Sequence, residues 1–184
     1  MKICVGLTGP NASGKGEVSR FMAEAGFSQH SLSDVVREEA TRQGLDHSRD
    51  SLIRIGTWLR QEFGPGILAE RMLPLLEDRS VVDSIRNPGE IAVLRGLPGF
   101  HLLGVDAPIE LRFERSRLRA RSGDGLTLEE FRTKESLELS GEGPGQQLRV
   151  CLSLTDTIIL NDGTLQDLRR RVREALSAVG IPLS

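Results

Sequence analysis

Hydrophobic positions along the chain follow two periodicities, one typical of buried strands and one typical of amphipathic helices. Short apolar runs recur between longer segments in which apolar residues return every three or four positions. Four of these runs, together with the mostly polar segment that follows Gly26, are bounded by polar or glycine-containing turns, as strands usually are. The predicted strands cover residues 3–7, 27–31, 80–83, 100–105 and 157–160.

The segments between these strands have the spacing of helices and carry recognisable end signals. Ser33 is the predicted N-cap of a helix that Gly44 ends, Thr127 opens a sequence that resembles a capping box, and Thr164 is the predicted cap of the last helix. Strands that alternate with helices predict an α/β fold whose parallel sheet is covered on both faces. The predicted helices cover residues 14–25, 34–43, 51–63, 67–76, 108–121, 127–139 and 165–179.

Composition narrows the class of partner. The chain has 184 residues, 38% hydrophobic content and a formal net charge of -2, which suits one α/β domain and gives no basic surface for nucleic acid. Its apolar runs are far shorter than the ~20 residues that cross a bilayer. We therefore expect a cytoplasmic protein, monomer or homodimer, whose partner is a small molecule rather than nucleic acid or membrane. Cys4 and Cys151 lie in apolar segments and predict buried, reduced thiols.

A glycine-rich loop follows the first strand and precedes the first helix. Glycines let the backbone aim several N–H groups at one anion, the helix dipole adds positive potential, and Lys15 can reach the outer phosphates of a nucleoside triphosphate. The usual motif continues with Ser or Thr, whose hydroxyl ligates magnesium, whereas Gly16 and Glu17 follow the lysine here. The sequence predicts a phosphate-binding loop made of Gly9, Pro10, Asn11, Ala12, Ser13, Gly14, Lys15 and Gly16.

Two further clusters carry an arginine three residues after a carboxylate. Asp34 and Arg37 share one face near the start of a predicted helix, where Arg37 can grip a monophosphate; the alternative is a local ion pair on a capped surface helix. Asp83 follows a buried strand, where a carboxylate can hold magnesium, and Arg86 can add a second clamp; the alternative is an ordinary turn.

A third cluster lies on the helix predicted at residues 108–121. At ~100° per residue, Arg112, Arg115 and Arg119 fall within about 60° of arc and can face one ligand. The alternatives are a solvated helix and a nucleic-acid patch, the latter weakened by nearby acidic residues. The glycine-containing segment 122–127 suits a lid that closes on phosphates.

Taken together, these segments resemble the nucleoside monophosphate kinases, and more closely the small proteins related to dephospho-CoA kinase and adenylate kinase. The motifs that carry the resemblance are residues 9–16, 33–37, 83–86, 106–108 with Arg115 and Arg119, and 161–165. The resemblance implies a P-loop NTPase fold, a three-layer α/β/α sandwich with a mainly parallel five-stranded sheet. It also implies one domain over residues 1–184, with a helical acceptor-binding insertion at about 44–76 and a short lid at about 120–145.

The resemblance implies ATP as donor, Mg²⁺ as cofactor and a nucleoside or deoxynucleoside monophosphate as acceptor. The catalytic candidates are Lys15, Asp34, Arg86, Arg115 and Arg119. The resemblance assigns ATP binding to residues 9–17 with Arg115, Arg119 and Gly163. It assigns acceptor binding to Ser33, Asp34, Arg37, Asp83 and Arg86. The candidate Mg²⁺ ligands are Glu17, Asp34 and Asp83. Two alternatives stay open. One is phosphorylation of a hydroxyl acceptor, as in dephospho-CoA kinase, with Asp34 as base, and the other is a non-catalytic ATP-binding regulator.

Overall fold

One parallel sheet organises the molecule. The computed structural model describes residues 2–119, 127–139, 141 and 144–183. All four strand pairings are parallel, in the order β2-β3-β1-β4-β5, which confirms the predicted parallel sheet. The strands are β1 (Ile3–Thr8), β2 (Ser28–Ser31), β3 (Arg79–Ile85), β4 (Phe100–Asp106) and β5 (Thr157–Leu160).

Helices connect the strands and pack on both faces of the sheet. Within the described residues they are α1 (Lys15–Glu24), α2 (Leu32–Arg42), α3 (Arg49–Phe63), α4 (Ile67–Met72), α5 (Pro88–Leu94), α6 (Ile109–Arg119), α7 (Leu128–Leu139), α8 (Leu148–Ser153) and α9 (Leu165–Ala178), with a 3-10 turn at Leu73–Leu75. No helix in these described ranges is long and apolar enough to span a membrane.

Alternate residues of the central strands divide between two hydrophobic cores. On β1, Cys4 points to a core shared with α2 to α5 and α8, whereas Val5 and Leu7 point to a core shared with α1 and α9. Val82 and Val81 divide in the same way on β3. Both faces of the sheet are therefore buried, as expected for a three-layer α/β/α sandwich.

β3 is longer than the sequence predicted. It pairs with β1 as far as Ile85, which lies opposite Thr8, and a bulge interrupts the register after Gly6. Asp83 therefore lies inside the strand and not at its end. Ser84 adopts a left-handed conformation with φ of 67° where the register shifts, two residues before Arg86.

Three helix predictions need correction. The predicted N-cap Ser33 is wrong: α2 begins at Leu32 and its N-cap is Ser31. The helices α5 and α8 were missed. α5 begins with a capping box between Asn87 and Glu90, in a segment whose proline and glycine favour a turn prediction.

Two capping predictions are confirmed. Thr127 and Glu130 exchange hydrogen bonds at the start of α7, and Thr164 forms a capping box with Asp167 at the start of α9. In the predicted lid, residues 120–126 lie outside the described residues, as do 140, 142 and 143 of the glycine-rich stretch that follows α7.

Candidate active site

The loop between β1 and α1 is built from backbone conformations that glycine tolerates. Gly9 has φ of 144°, and a Cβ there would lie 2.0 Å from the carbonyl oxygen of Val105. Gly14 has φ of 109°, and a Cβ there would lie 2.3 Å from Nδ2 of Asn161. Asn161 donates that amide to the carbonyl of Ser13 at 2.8 Å, so the turn after β5 holds the loop from the side. Larger residues at either glycine would force the loop open.

Lys15, the first residue of α1, folds back over the loop. Its Nζ donates to the carbonyl oxygens of Gly9 and Pro10, both at 2.8 Å. The side chain is buried, and this burial lowers the pKa of Lys15 to about 8. The ammonium is thus placed at the centre of the loop, although burial weakens its hold on the proton.

A cavity of about 570 Å³, here called the loop cavity, opens beside this loop. Arg115 reaches it from α6 and donates through Nη2 to the carbonyl of Asn161 at 3.2 Å. Within the described residues, Nη1 of Arg115 is buried without a hydrogen-bond partner. A buried donor without a partner is costly, so this group fits an oxygen of a phosphate ligand. The lining residues are Asn11, Ala12, Gly14, Lys15, Gly16, Glu17, Asp83, Ser84, Arg86, Arg115, Arg119, Asn161, Gly163, Leu165 and Leu168.

A second cavity of about 480 Å³, here called the insertion cavity, lies between α2, α3, the end of β3 and the end of α7. It shares Asn11, Ser84 and Arg86 with the loop cavity, so the two meet at these residues. Its walls combine four guanidinium groups with an apolar floor. The lining residues are Asn11, Leu32, Ser33, Val36, Arg37, His47, Arg49, Leu52, Ile53, Gly56, Arg60, Leu68, Ser84, Arg86, Glu138 and Gln146.

Carboxylates from other elements position the arginines of the insertion cavity. Glu90 is fully buried and accepts from Nε of Arg60 at 2.8 Å. Its other oxygen accepts from the backbone N–H groups of Arg86 and Asn87, at 2.8 and 3.0 Å. One buried carboxylate therefore fixes both the turn that carries Arg86 and a guanidinium from α3.

The structure brings most of the predicted site residues together around these two cavities. Ser33 and Arg37 line the insertion cavity, and the Ser33 hydroxyl accepts from Arg37 at 2.9 Å. Asp34 is an exception, since it is absent from the described linings of both cavities and its exposed carboxylate pairs with Arg37 at 2.6 Å. Glu17 and Asp83 line the loop cavity with Lys15, Arg86, Arg115, Arg119 and Gly163.

The predicted arginine stripe on α6 divides in two. Arg115 and Arg119 face the loop cavity, where Arg119 donates to Oδ1 of Asn11 at 3.3 Å. Arg112 is buried instead, donating to Ala107 O at 2.7 Å and to Glu135 of α7 at 2.7 Å. Arg112 thus ties α6 to α7.

Sequence reasoning missed several residues that line the insertion cavity. Arg49 and Arg60 come from α3, and Glu138 and Gln146 from α7 and the segment that follows it. Each belongs to a segment without a recognisable motif. Glu90, which holds Arg60 in place, does have a sequence signal, because it occupies the last position of an Asn-x-x-Glu capping box.

Two carboxylates in the loop cavity are placed where magnesium could be held. Glu17 accepts from Arg20 through both oxygens at 3.0 Å, so an adjacent guanidinium offsets its charge. Asp83 lines the same cavity as Lys15 and precedes Ser84, which belongs to the wall that the two cavities share. The described ranges contain no group of three Asp, Glu, His or Cys side chains able to hold a metal. This donor set fits Mg²⁺ held by one or two carboxylates together with substrate phosphates.

Comparison with known proteins places the chain in a family. A UPF0200 protein of Hyperthermus butylicus is 33% identical over 180 residues, covering 96% of this chain and 94% of the relative. A UPF0200 protein of Aeropyrum pernix is 37% identical over 179 residues, covering 95% and 92%. The chain belongs to the UPF0200 family. No protein-family model matches it.

Solved structures similar to this UPF0200 chain share its fold. A Thermus thermophilus protein, TT1252, has a TM-score of 0.65 at 22% identity and covers 97% of this chain and 98% of its own. Shikimate kinase from Aquifex aeolicus has a TM-score of 0.58 at 14% identity and covers 97% and 98%. A gluconokinase from Sinorhizobium meliloti has a TM-score of 0.58 at 16% identity and covers 96% and 93%. At these identities the likeness concerns the fold, which is that of the P-loop kinases.

Proposed function

We propose that the protein transfers the γ-phosphoryl group of ATP to a nucleoside or deoxynucleoside monophosphate. The observation that carries this proposal is the junction of two cavities, one built on a phosphate-binding loop and the other lined by arginines. They meet at Asn11, Ser84 and Arg86, so a donor phosphate and an acceptor phosphate would face each other there. Such an arrangement suits in-line transfer, which depends on positioning and on neutralising charge.

On the donor side, the loop amides and Lys15 would hold the β- and γ-phosphates. Arg115 has a buried Nη1 without a partner among the described residues, and Arg119 lies at the edge of the loop beside Asn11. Both would neutralise charge as the phosphoryl group moves. Asp83, with Glu17 second, would hold Mg²⁺, which would supply positive charge against the phosphates during transfer.

On the acceptor side, Arg37 and Arg86 would hold the monophosphate. Among the described residues that line the insertion cavity, the only carboxylate is Glu138, and two arginines already engage it. A phosphate acceptor is already anionic at neutral pH and needs no base. A cavity lined mainly by cationic side chains therefore suits a phosphate acceptor better than a hydroxyl acceptor, because a carboxylate would have to accept the proton of the hydroxyl group.

Phosphorylation of a hydroxyl acceptor remains the second candidate. Shikimate kinase and gluconokinase share the fold, and their names give acceptors other than nucleotides. In such a reaction Asp83 is better placed than Asp34 to accept the proton, because it borders Ser84 and Arg86 at the junction of the cavities.

A panel of acceptors separates these readings. Purified protein is incubated with ATP, Mg²⁺ and, in turn, nucleoside monophosphates, deoxynucleoside monophosphates and hydroxyl acceptors including dephospho-CoA, and products are resolved by anion-exchange chromatography. We expect a nucleoside diphosphate product that Arg86→Ala and Arg119→Ala reduce at least about 100-fold, as loss of a charge-stabilising donor does. Arg54→Ala, an exposed arginine of α3, is the matched control. If the protein binds ATP but no acceptor is phosphorylated, the kinase proposal is rejected and the alternative of a non-catalytic ATP-binding regulator is supported.

A further inference from the structure

A carboxylate from α7 lies between two arginines of the insertion cavity. Glu138 accepts through Oε1 from Nε of Arg49 at 3.1 Å and also from its Nη2. Through Oε2 it accepts from Nη1 of Arg86 at 3.1 Å. All three side chains line the cavity, and the carboxyl-bearing side chain is 9% exposed. An anion thus already bridges α3 and the turn after β3.

The contact joins elements that are far apart in the chain. Glu138 lies in the last turn of α7, whose earlier part is fixed to α6 by the Arg112–Glu135 pair and by Phe131 against Phe113. α7 is therefore anchored without Glu138. The hydrogen bonds that Glu138 accepts add a link from the end of α7 to the cavity wall, and Gln146 accepts from the same Nη1 of Arg86 at 3.0 Å.

We propose that Arg49 binds the acceptor's phosphate together with Arg86 and Arg37, and that Glu138 holds the Arg49–Arg86 pair until that phosphate displaces it. The inference rests on the proposed function and adds a residue, Arg49, and a selection step to it. A phosphate dianion brings two charges and three oxygens to guanidinium groups that a carboxylate serves with one charge and two oxygens. Ligands that lack the dianion, such as a free nucleoside, cannot replace Glu138 and are selected against.

The opposite role for Glu138 makes the opposite prediction. If the carboxylate only orients Arg49 and Arg86, its loss loosens both arginines and weakens anion binding. If it competes with the anion, its loss strengthens anion binding. The sign of one measured change therefore decides between them.

The decisive measurement is calorimetric titration of the full chain with inorganic phosphate. A saturating non-hydrolysable ATP analogue with Mg²⁺ fills the loop cavity first; the Lys15→Ala background serves as a second way to silence the loop. We expect Glu138→Gln to bind phosphate about tenfold more tightly than the parent, which is about 1.4 kcal/mol. Glu129→Gln removes the same charge from an exposed position of the same helix and should change binding less than twofold.

Arg49→Ala tests the other half of the pair. It should weaken phosphate binding at least about tenfold without changing the affinity for the ATP analogue, whereas Arg54→Ala on the same helix should change neither. Urea unfolding of each variant identifies any that are misfolded. Phosphate binding that is unchanged or weaker in Glu138→Gln, or unchanged in Arg49→Ala, overturns the proposal.

Failure of the kinase proposal would look different. In that case the acceptor panel gives no product although Glu138→Gln still tightens phosphate binding, and the insertion cavity stands as an anion site with another use. If instead product forms but Glu138→Gln weakens phosphate binding and raises the acceptor KM, the kinase stands and the displacement step is rejected.

Discussion

The buried pair between Arg60 and Glu90 gives the sharpest stability prediction. Glu90 is completely buried and Arg60 is 5% exposed, and their atoms approach to 2.7 Å. Glu90 also accepts from the backbone N–H groups of Arg86 and Asn87. Replacing Glu90 by Gln keeps the size of the side chain but removes the charge, so Arg60 remains buried without its counter-ion.

The magnitude follows from the burial of the pair. Breaking a buried ion pair on one side costs about 3–5 kcal/mol, since the remaining charge stays desolvated. A chain of this size loses about 2–4 °C in Tm per kcal/mol, so Glu90→Gln should lower Tm by about 6–20 °C. The double variant Arg60→Leu, Glu90→Leu should recover part of the loss, because it removes both charges but still leaves the two backbone N–H groups without Glu90.

Thermal unfolding followed by circular dichroism measures the change in Tm, and urea unfolding measures the change in the free energy of unfolding. The control is Glu110→Gln, which breaks the Arg132–Glu110 pair, whose side chains are 55% and 60% exposed. Such a pair is worth about 0–1 kcal/mol. If Glu90→Gln and Glu110→Gln lose the same stability, within about 0.5 kcal/mol, the burial of the Arg60–Glu90 pair has no energetic consequence and the reasoning is refuted.

Further predictions concern the loop cavity and the thiols. Burial lowers the pKa of Lys15 to about 8, so the free protein loses the ammonium charge as pH rises through 8. The affinity for ATP should therefore fall by up to about tenfold per pH unit above that value, and binding should take up a proton. An ATP affinity that does not change between pH 7 and 10 would contradict this prediction. Gly9→Ala should reduce ATP binding in calorimetry at least about tenfold, because its Cβ would meet the carbonyl of Val105 at 2.0 Å; parent-like binding would mean that the loop tolerates the added atom. Asp83→Asn should raise the Mg²⁺ concentration needed for half-maximal turnover at least about tenfold, and an unchanged requirement would move the metal role to Glu17. Burial raises the pKa of the Cys4 and Cys151 thiols to about 12, so neither should react with Ellman's reagent at pH 8 until the protein unfolds; rapid labelling of the folded protein would argue against their burial.

The sheet and the phosphate loop could be predicted because their signals are local. The apolar run at the start of the chain, the glycines at 9 and 14, and Lys15 at the start of α1 are signals that lie within a few residues of the structure they specify. The signals that mark the ends of helices are less specific. The N-cap moved from Ser33 to Ser31 because β2 ends directly at the helix, and either serine satisfies the local pattern.

The walls of the insertion cavity depend on packing between distant segments. α3 buries Ile55 and Leu59 against the core, and this choice of face directs Arg49 toward α7 and Arg60 toward α5. A periodic pattern predicts that α3 has a buried face but not which neighbour its remaining face meets. For this reason Arg37 and Arg86, which stand in motifs, could be predicted from the sequence, whereas Arg49, Arg60 and Glu138 could not.

The hydrogen-bond partners of the arginines differ between the two cavities, and this difference affects the relative affinities for ATP and the acceptor. In the insertion cavity, Arg37, Arg60 and Arg86 each contact a carboxylate. In the loop cavity, Arg115 donates to a neutral carbonyl and keeps a buried Nη1 without a partner among the described residues. At Arg115 a triphosphate would meet a donor that it does not have to take from another anion, whereas at Arg49 and Arg86 an acceptor phosphate would have to exchange with Glu138. Displacing a carboxylate lowers the net affinity of the incoming phosphate, so ATP should bind more tightly than the acceptor. Glu138→Gln should reduce this difference by raising the affinity for the acceptor while the affinity for ATP stays the same.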